Sequence, residues 1–376
     1  MKIVIVGGGA IGMMQARELA LAGCEVVLLE RHMCGREASW AGGGIISPLY
    51  PWRYSPPITA LSTWSQEYYP NLVQSLEAES GIDPQLTRTG LLVLSIDDRE
   101  RALAWSRDHQ LWLEEVSSEQ IYQLEPSLRS GFNEGMYMPQ VGSIRNPRLC
   151  QALRAILLGL PNVELKENTE VLGIQQSKGQ FECVKTQSEA IYADACIVTS
   201  GAWSGGLLES LQMCLPVEPV RGQMVAFQAN PGDVSRIVLD HGKYVIPRRD
   251  GLVLAGSTLE YVGFDKSRTE EAKHELVDIA RSMIPALAKA PVVEHWAGLR
   301  PGSPNGLPFI GELPNVERVF VNAGQFRNGL VLAPASVNLM TAIILGQEHV
   351  IDRSPYALEG RIGQEAELPA EDPVSL

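Results

Sequence analysis

The residues Gly7-Gly8-Gly9-Ala10-Ile11-Gly12 offer the first place for chemistry in this chain: backbone amides freed of side chains where a helix begins. The apolar run Ile3, Val4, Ile5 and Val6 precedes them, and a stretch patterned as a helix follows. A second apolar run over 25–29 then leads into Glu30, at the distance expected of a dinucleotide-binding βαβ unit. Gly7 permits the tight turn, Gly9 lets the backbone approach a pyrophosphate, and Gly12 lets the helix pack close to the strand. Glu30 would accept hydrogen bonds from the adenosine ribose, which selects FAD or NAD over NADP, whose 2′-phosphate it would repel. An ordinary strand-turn-helix needs no such combination. Two further stretches let backbone meet a ligand. They are Gly42-Gly43-Gly44, and the turn Ser200-Gly201-Ala202-Trp203-Ser204 after an apolar strand at 195–199.

The elements that must hold these residues follow from pattern and length. At 376 residues the chain is long enough for two domains. Helical spacing runs through 61–80, with Trp64, Tyr68, Leu72 and Leu76 on a core face, and through 146–158 and 270–284. Residues 89–96, 163–165 and 170–174 read as strands, and 97–128 as two short helices. The β-branched stretch 216–259 reads as a mostly antiparallel sheet, while 296–300 and 319–323 read as strands returning to the first domain. The fold class expected is α/β, a Rossmann-like FAD-binding domain with a mostly antiparallel substrate domain. The first would comprise 1–44, 62–90, 141–215 and 295–360, the second 45–61, 91–140 and 216–294, with a flexible tail over 361–376.

Composition narrows the partners. A net charge of −13 leaves no basic face for a nucleic-acid backbone and suits a small metabolite. Cysteines 24, 34, 150, 183, 196 and 214 form no CxxC pair; they read as reduced thiols of a cytoplasmic protein, with neither a zinc site nor a disulfide framework. No leader is expected before the strand that starts after Lys2. The uncharged stretch 329–346 has the length of a membrane span, but Pro334, Ser336, Asn338 and Thr341 interrupt it, and a buried core helix with no membrane insertion is expected.

Five strings in order carry a resemblance: the Gly7-Gly8-Gly9 fingerprint with Glu30, Gly201-Ala202-Trp203-Ser204, Tyr244-Val245-Ile246-Pro247-Arg248, Gly298-Leu299-Arg300-Pro301, and Gly324-Gln325-Phe326-Arg327-Asn328-Gly329. From residue 1 to about 355 the chain resembles the FAD-dependent D-amino acid oxidase superfamily, most closely its glycine oxidase branch, which serves thiazole formation in thiamine synthesis. The resemblance implies FAD held without a covalent bond, since 301–311 lacks the cysteine that sarcosine oxidases use, and an eight-stranded or similar sheet over the flavin. It places Ala10 and Ile11 on the pyrophosphate, Glu30 and Arg31 around the ribose, Val171 on the adenine side, and Gly42, Gly43 and Gly44 along the flavin. Gln325, Phe326, Arg327, Asn328, Gly329, Leu330 and Val331 would meet the pyrimidine end, where backbone amides opening a helix offset the negative charge of reduction.

The same resemblance makes Arg300 the residue that binds the substrate carboxylate, through two parallel hydrogen bonds, with Tyr244 as a second donor and Arg327 setting the local potential. His241 reads as a solvated loop residue and no base is required, because the nitrogen lone pair of a neutral amine can drive hydride to the flavin. Gly44 and Leu259 stand where the bacterial prototype has methionines. The expectation is room for sarcosine or a small D-amino acid, with Trp52 or Tyr54 as a lid over it. The activity implied is oxidation of glycine, sarcosine or small D-amino acids by dioxygen, in a homo-oligomer. Alternatives are a D-amino acid dehydrogenase or sarcosine oxidase-like enzyme with another acceptor or substrate, a pyridine-nucleotide dehydrogenase, and an FAD-holding subunit. Peroxide formation and bound yellow colour separate them.

Overall fold

The structure is a computed structural model and describes residues 1–363. Two sheets organise it. The first has six strands in the order Phe309–Glu312, Val319–Ala323, Ala195–Val198, Lys2–Val6, Glu25–Leu29, Val163–Lys166, all parallel except the edge strand Phe309–Glu312. Its strands are apolar on both faces because both faces are covered. Ile3, Ile5, Val26, Leu28 and Ile197 point into a core shared with the helices Ala10–Leu21, Pro56–Ser80, Asn146–Gly159 and Gly329–Leu345. Val4, Val6, Val27, Leu29 and Val198 alternate to the other face, against the three-stranded sheet Val171–Ser177, Gln180–Thr186, Ala190–Tyr192.

The second sheet has eight strands: Val292–Gly302, Glu218–Gln228, Leu252–Gly256, Lys243–Pro247, Ile237–Asp240, Leu91–Val93, Glu134–Met138, Glu114–Ser117. All neighbours are antiparallel except Ile237–Asp240 with Leu91–Val93. Val225, Phe227, Val245 and Val253 pack on the helix Glu270–Met283, and alternate residues Met224, Tyr244 and Ile246 turn to the opposite face.

The segment 296–300 corrects the sequence reading: it lies within the edge strand Val292–Gly302 of the antiparallel sheet, paired along Glu218–Gln228, while Val319–Ala323 does join the parallel sheet. A boundary at 295 therefore cuts a continuous strand. Likewise, the boundary between 61 and 62 falls inside the continuous helix Pro56–Ser80, whose Ile58 and Leu61 share a core with Leu72 and Leu76. Of the tail expected over 361–376, residues 364–376 lie outside the described residues, and Arg361 is anchored, donating to the carbonyls of Leu307 at 2.8 Å and Pro308 at 2.9 Å. One helical stretch among the described residues, Phe326–Leu345, is long and apolar enough to cross a membrane, and most of it is buried inside the protein. Five of the cysteines are buried, and Cys214 is exposed.

Candidate active site

A cavity of about 510 Å³ opens where the carboxyl ends of three parallel strands, at Val6, Leu29 and Thr199, face residues of the antiparallel sheet. Among the residues singled out from sequence, Gly7, Gly9, Ala10, Ile11, Glu30, Arg31, Gly42, Gly43, Gly44, Val171, Gly201, Tyr244 and Arg300 line it. So do Gln325, Phe326, Arg327, Asn328, Gly329, Leu330 and Val331. Gly12 does not. A Cβ there would lie 1.9 Å from the Gly7 carbonyl oxygen and 2.7 Å from Thr199 Oγ1, so Gly12 acts by letting the helix touch the turn.

The turn is tightly held. Gly7 has φ +112°, and the Gly8 N–H donates to Glu30 Oε2 at 2.8 Å. Glu30 Oε1 accepts from the His32 N–H at 3.0 Å, yet a carboxylate has about four acceptor positions, so both oxygens keep capacity for ribose hydroxyls. The Ala10 N–H, expected on a pyrophosphate, donates instead to Ser39 Oγ at 2.8 Å, and Ser39 itself lines the cavity. Arg31 stacks 3.9 Å from the Trp203 ring centroid and pairs with Glu37 at 3.5 Å. Phe264, from the antiparallel-sheet side, stacks on the same tryptophan with centroids 5.5 Å apart.

Glu167 braces this end. It accepts from the Cys34 N–H at 2.8 Å and from Arg154 Nε at 2.9 Å and Nη2 at 2.6 Å, and the guanidinium holds its carboxyl down at about 2. A depressed folded-state pKa stabilises the fold above the ordinary carboxyl range and ceases to do so as pH falls toward 2. Wild type should therefore exceed Glu167→Gln in stability at pH 7 and lose that advantage between about pH 4.5 and 2. Urea unfolding of both proteins at pH 7 and pH 3 measures it.

Arg300 is set by its neighbours before any ligand arrives. Its Nη2 donates to Ser257 Oγ at 2.8 Å and its Nη1 to the Thr258 carbonyl at 3.1 Å, both in the loop after Leu252–Gly256. Desolvation, with the Arg327 charge adding to it, pulls its pKa down, while the Tyr244 hydroxyl beside it works the other way. A guanidinium remains a cation under such pressure, so the cavity presents positive charge to an anion. The guanidinium also lies flat over Gly222, where a Cβ would come within 2.1–2.3 Å of three of its atoms. Since a flexible side-chain end can yield, Gly222→Ala should fold and hold its ligand but displace Arg300. The Michaelis constant for a carboxylate substrate is expected to rise about 10- to 100-fold, the worth of a charged hydrogen bond. Steady-state turnover reads it.

Several expectations change here. Trp52 is 2% exposed, packed with Tyr50, Leu91 and Met136, and does not line the cavity, so it is core and not a lid, while Tyr54 is part-buried behind the wall, beside Asn328 and Arg327. Gly44, with φ +77°, would point a Cβ at the Ile144 carbonyl oxygen 2.2 Å away; its small size relieves backbone contact and adds no substrate space. Leu259 is not on the wall; His241, as expected, is an exposed loop residue, bonded to Asp240 at 2.9 Å.

Whether this cavity suits a flavin dinucleotide can be tested on its walls. Helices Ala10–Leu21 and Gly329–Leu345 both begin there, and neither has an acidic residue in its first turn or an N-cap side-chain bond. Both ends are therefore available to negative charge. Gly201 and Gly206 border open space in which a Cβ would meet nothing. No cysteine is among the described lining residues. The residues fit noncovalent FAD.

A protein-family model described as FAD dependent oxidoreductase matches residues 2–343. The glycine oxidase of Pseudomonas putida is 49% identical over 362 residues, 96% of this chain and 99% of the relative. That of Pseudomonas aeruginosa is 50% identical over 361 residues, with the same two shares. The crystal structure of glycine oxidase from Geobacillus kaustophilus superposes with a TM-score of 0.90 at 30% identity, covering 96% of this chain and 99% of that one.

Proposed function

The chain belongs to the family of FAD-dependent oxidoreductases, and from that premise we propose that it is a glycine oxidase, acting also on sarcosine and small D-amino acids, in the cytoplasm and as a homo-oligomer. The products are the 2-oxo acid formed by hydrolysis of the imine, ammonia or the corresponding amine, and hydrogen peroxide; the physiological role is thiazole formation for thiamine. The observation that carries the reading is Arg300, a guanidinium held by Ser257, Thr258 and the Arg221 carbonyl on the wall of the cavity whose lining fits FAD.

Gly7, Gly9, Ile11 and Ser39 would hold the pyrophosphate, and Glu30, Arg31 and Val171 the adenosine. Gly42, Gly43, Gly44 and the segment 325–331 would hold the flavin. FAD, when bound, accepts the hydride from the substrate Cα and passes its electrons to dioxygen. The protein contributes position. Arg300 takes the carboxylate in a forked pair of hydrogen bonds, and the Tyr244 hydroxyl, beside Arg300, adds a donor that fixes the tilt of the Cα–H bond. Arg327 adds positive potential that favours an anionic substrate. No histidine is among the described lining residues, so the amine is best supplied as the neutral base, already deprotonated in solution.

The test is anaerobic addition of glycine to the purified yellow protein. Bleaching of the visible flavin band, with recovery and peroxide on admitting air, is the expected result. Bleaching without peroxide on aeration would favour a dehydrogenase, and a protein that stays colourless after incubation with FAD would overturn the assignment.

A further inference from the structure

The strand Lys243–Pro247 ends at Arg248, a cation that the chemistry above does not use. Its guanidinium reaches back to the glycine run: Nη2 donates to the Gly43 carbonyl at 2.7 Å, and Nη1 donates to Ser143 Oγ at 3.1 Å. A Cβ on Gly44 would lie 3.3 Å from Nη2, so the charge sits directly behind two of the glycines that line the cavity. Its hydrogen-bond acceptors are neutral. Among the described residues no carboxylate forms an ion pair with it, and the nearby Asp250 is paired with Arg145 at 2.5 Å. Desolvation pulls its pKa down to about 10, with the Arg145 charge adding to the effect and the Asp250 carboxylate working against it.

Burying a cation against a carbonyl and a hydroxyl, without a carboxylate, costs stability that a neutral side chain would not. A glutamine could hold the Gly43 carbonyl at lower cost. What the guanidinium adds is a positive charge behind the cavity wall with no carboxylate in contact with it.

We propose that Arg248 is a positioning and electrostatic residue of the cofactor site, whose unpaired charge behind Gly43 and Gly44 favours the more negative, reduced form of bound FAD and so raises its reduction potential. The inference rests on the reading of the cavity as an FAD site. It differs from the role of Arg300, which meets the substrate. Low local dielectric makes such a charge effective, since little water screens it.

The experiment is a dye-coupled anaerobic titration of FAD bound to wild type, Arg248→Lys, Arg248→Met and Ser143→Asp, with FAD dissociation constants read by flavin fluorescence. Arg248→Met should disfavour reduction about tenfold or more, a shift of roughly 30 mV to more negative potential for two electrons. Arg248→Lys keeps the charge and should stay close to wild type. Ser143→Asp neutralises the guanidinium where it stands, leaves its bond to Gly43 in place, and should match Arg248→Met; it decides the matter if the methionine variant fails to hold FAD. Potentials unchanged in Arg248→Met and Ser143→Asp would overturn the proposal, and so would an equal shift in the lysine and methionine variants, which would assign the effect to hydrogen-bond geometry. If wild type itself holds no FAD, it is the flavoprotein reading that fails.

Discussion

Arg300→Met is expected to lower kcat/KM for glycine by about two to four orders of magnitude while FAD stays bound, because truncating one partner of a buried charge pair costs about 2–5 kcal/mol. The loss has two parts. The carboxylate loses a pair of charge-assisted hydrogen bonds, and the bound substrate loses the orientation that aligns its Cα–H with the flavin. Both parts fall on the same variant because Arg300 is held by Ser257 and Thr258, which fix the fork before substrate enters. Arg300→Lys should recover charge but not the fork, leaving KM raised and the reduction step slow. Stopped-flow flavin reduction as a function of glycine separates the two. Reduction of Arg300→Met at the wild-type rate and affinity would remove Arg300 from the substrate site.

Arg300 does not act on a neutral background. Arg327 lines the same cavity and its charge pushes down the Arg300 pKa, which is to say that two cations share a site with no lining carboxylate in hydrogen-bond contact with Arg300. The chain as a whole carries −13, so two arginine charges side by side at this end of the cavity stand against the average field. On the proposed reading, a substrate carboxylate at Arg300 would ease its repulsion with Arg327 as well as accept its hydrogen bonds. With Arg248 at the flavin side, the cavity reads as a place where negative charge is wanted twice, on the substrate and on the reduced cofactor.

How much of this could be read from residues alone depended on how local the determinant was. The Gly7 turn was legible because strand, glycines, helix and Glu30 are contiguous, and each role follows from backbone geometry within some thirty residues. The strand holding Arg300 was legible as a strand but was assigned to the wrong sheet. Its partner, Glu218–Gln228, lies some seventy residues earlier in the chain, and a pairing over that distance leaves no periodic mark on either strand. Ser39, Ser257, Phe264 and Arg248 were not picked out as site residues. Ser257 and Phe264 stand in irregular segments, Ser39 in the single-turn helix Ala38–Ala41 and Arg248 at a strand end, where residue type gives no orientation. The aromatic segment around Trp52 misled for the opposite reason. Prolines and aromatics in a loop suggest an exposed flap, but Trp52 fills a core that only the folded antiparallel sheet creates.

Gly12→Ala is expected to destabilise the fold strongly whether or not FAD is present, a larger loss than one added methyl ordinarily causes in a packed core. The added Cβ would lie 1.9 Å from the Gly7 carbonyl oxygen, an atom of the backbone that cannot rotate away, and 2.7 Å from Thr199 Oγ1. Thr199 is itself tied to Gly7, donating to its carbonyl at 2.8 Å, so neither contact can open without parting the first strand from its neighbour in the sheet centre. Overpacking commonly costs about 1–3 kcal/mol when side chains can shift, and more is expected where the obstacle is main chain. Gly206→Ala is the informative contrast. A Cβ there meets no protein atom, yet Gly206 lines the cavity, so the apo protein should keep its stability and only FAD affinity should fall. Thermal unfolding of both variants with and without added FAD distinguishes them. Gly12→Ala should be destabilised in both conditions, and Gly206→Ala only in the gain that FAD confers. If Gly12→Ala instead unfolded like wild type without FAD, the helix could stand off the turn, and the glycine would owe its place to the ligand and not to the packing of helix on strand.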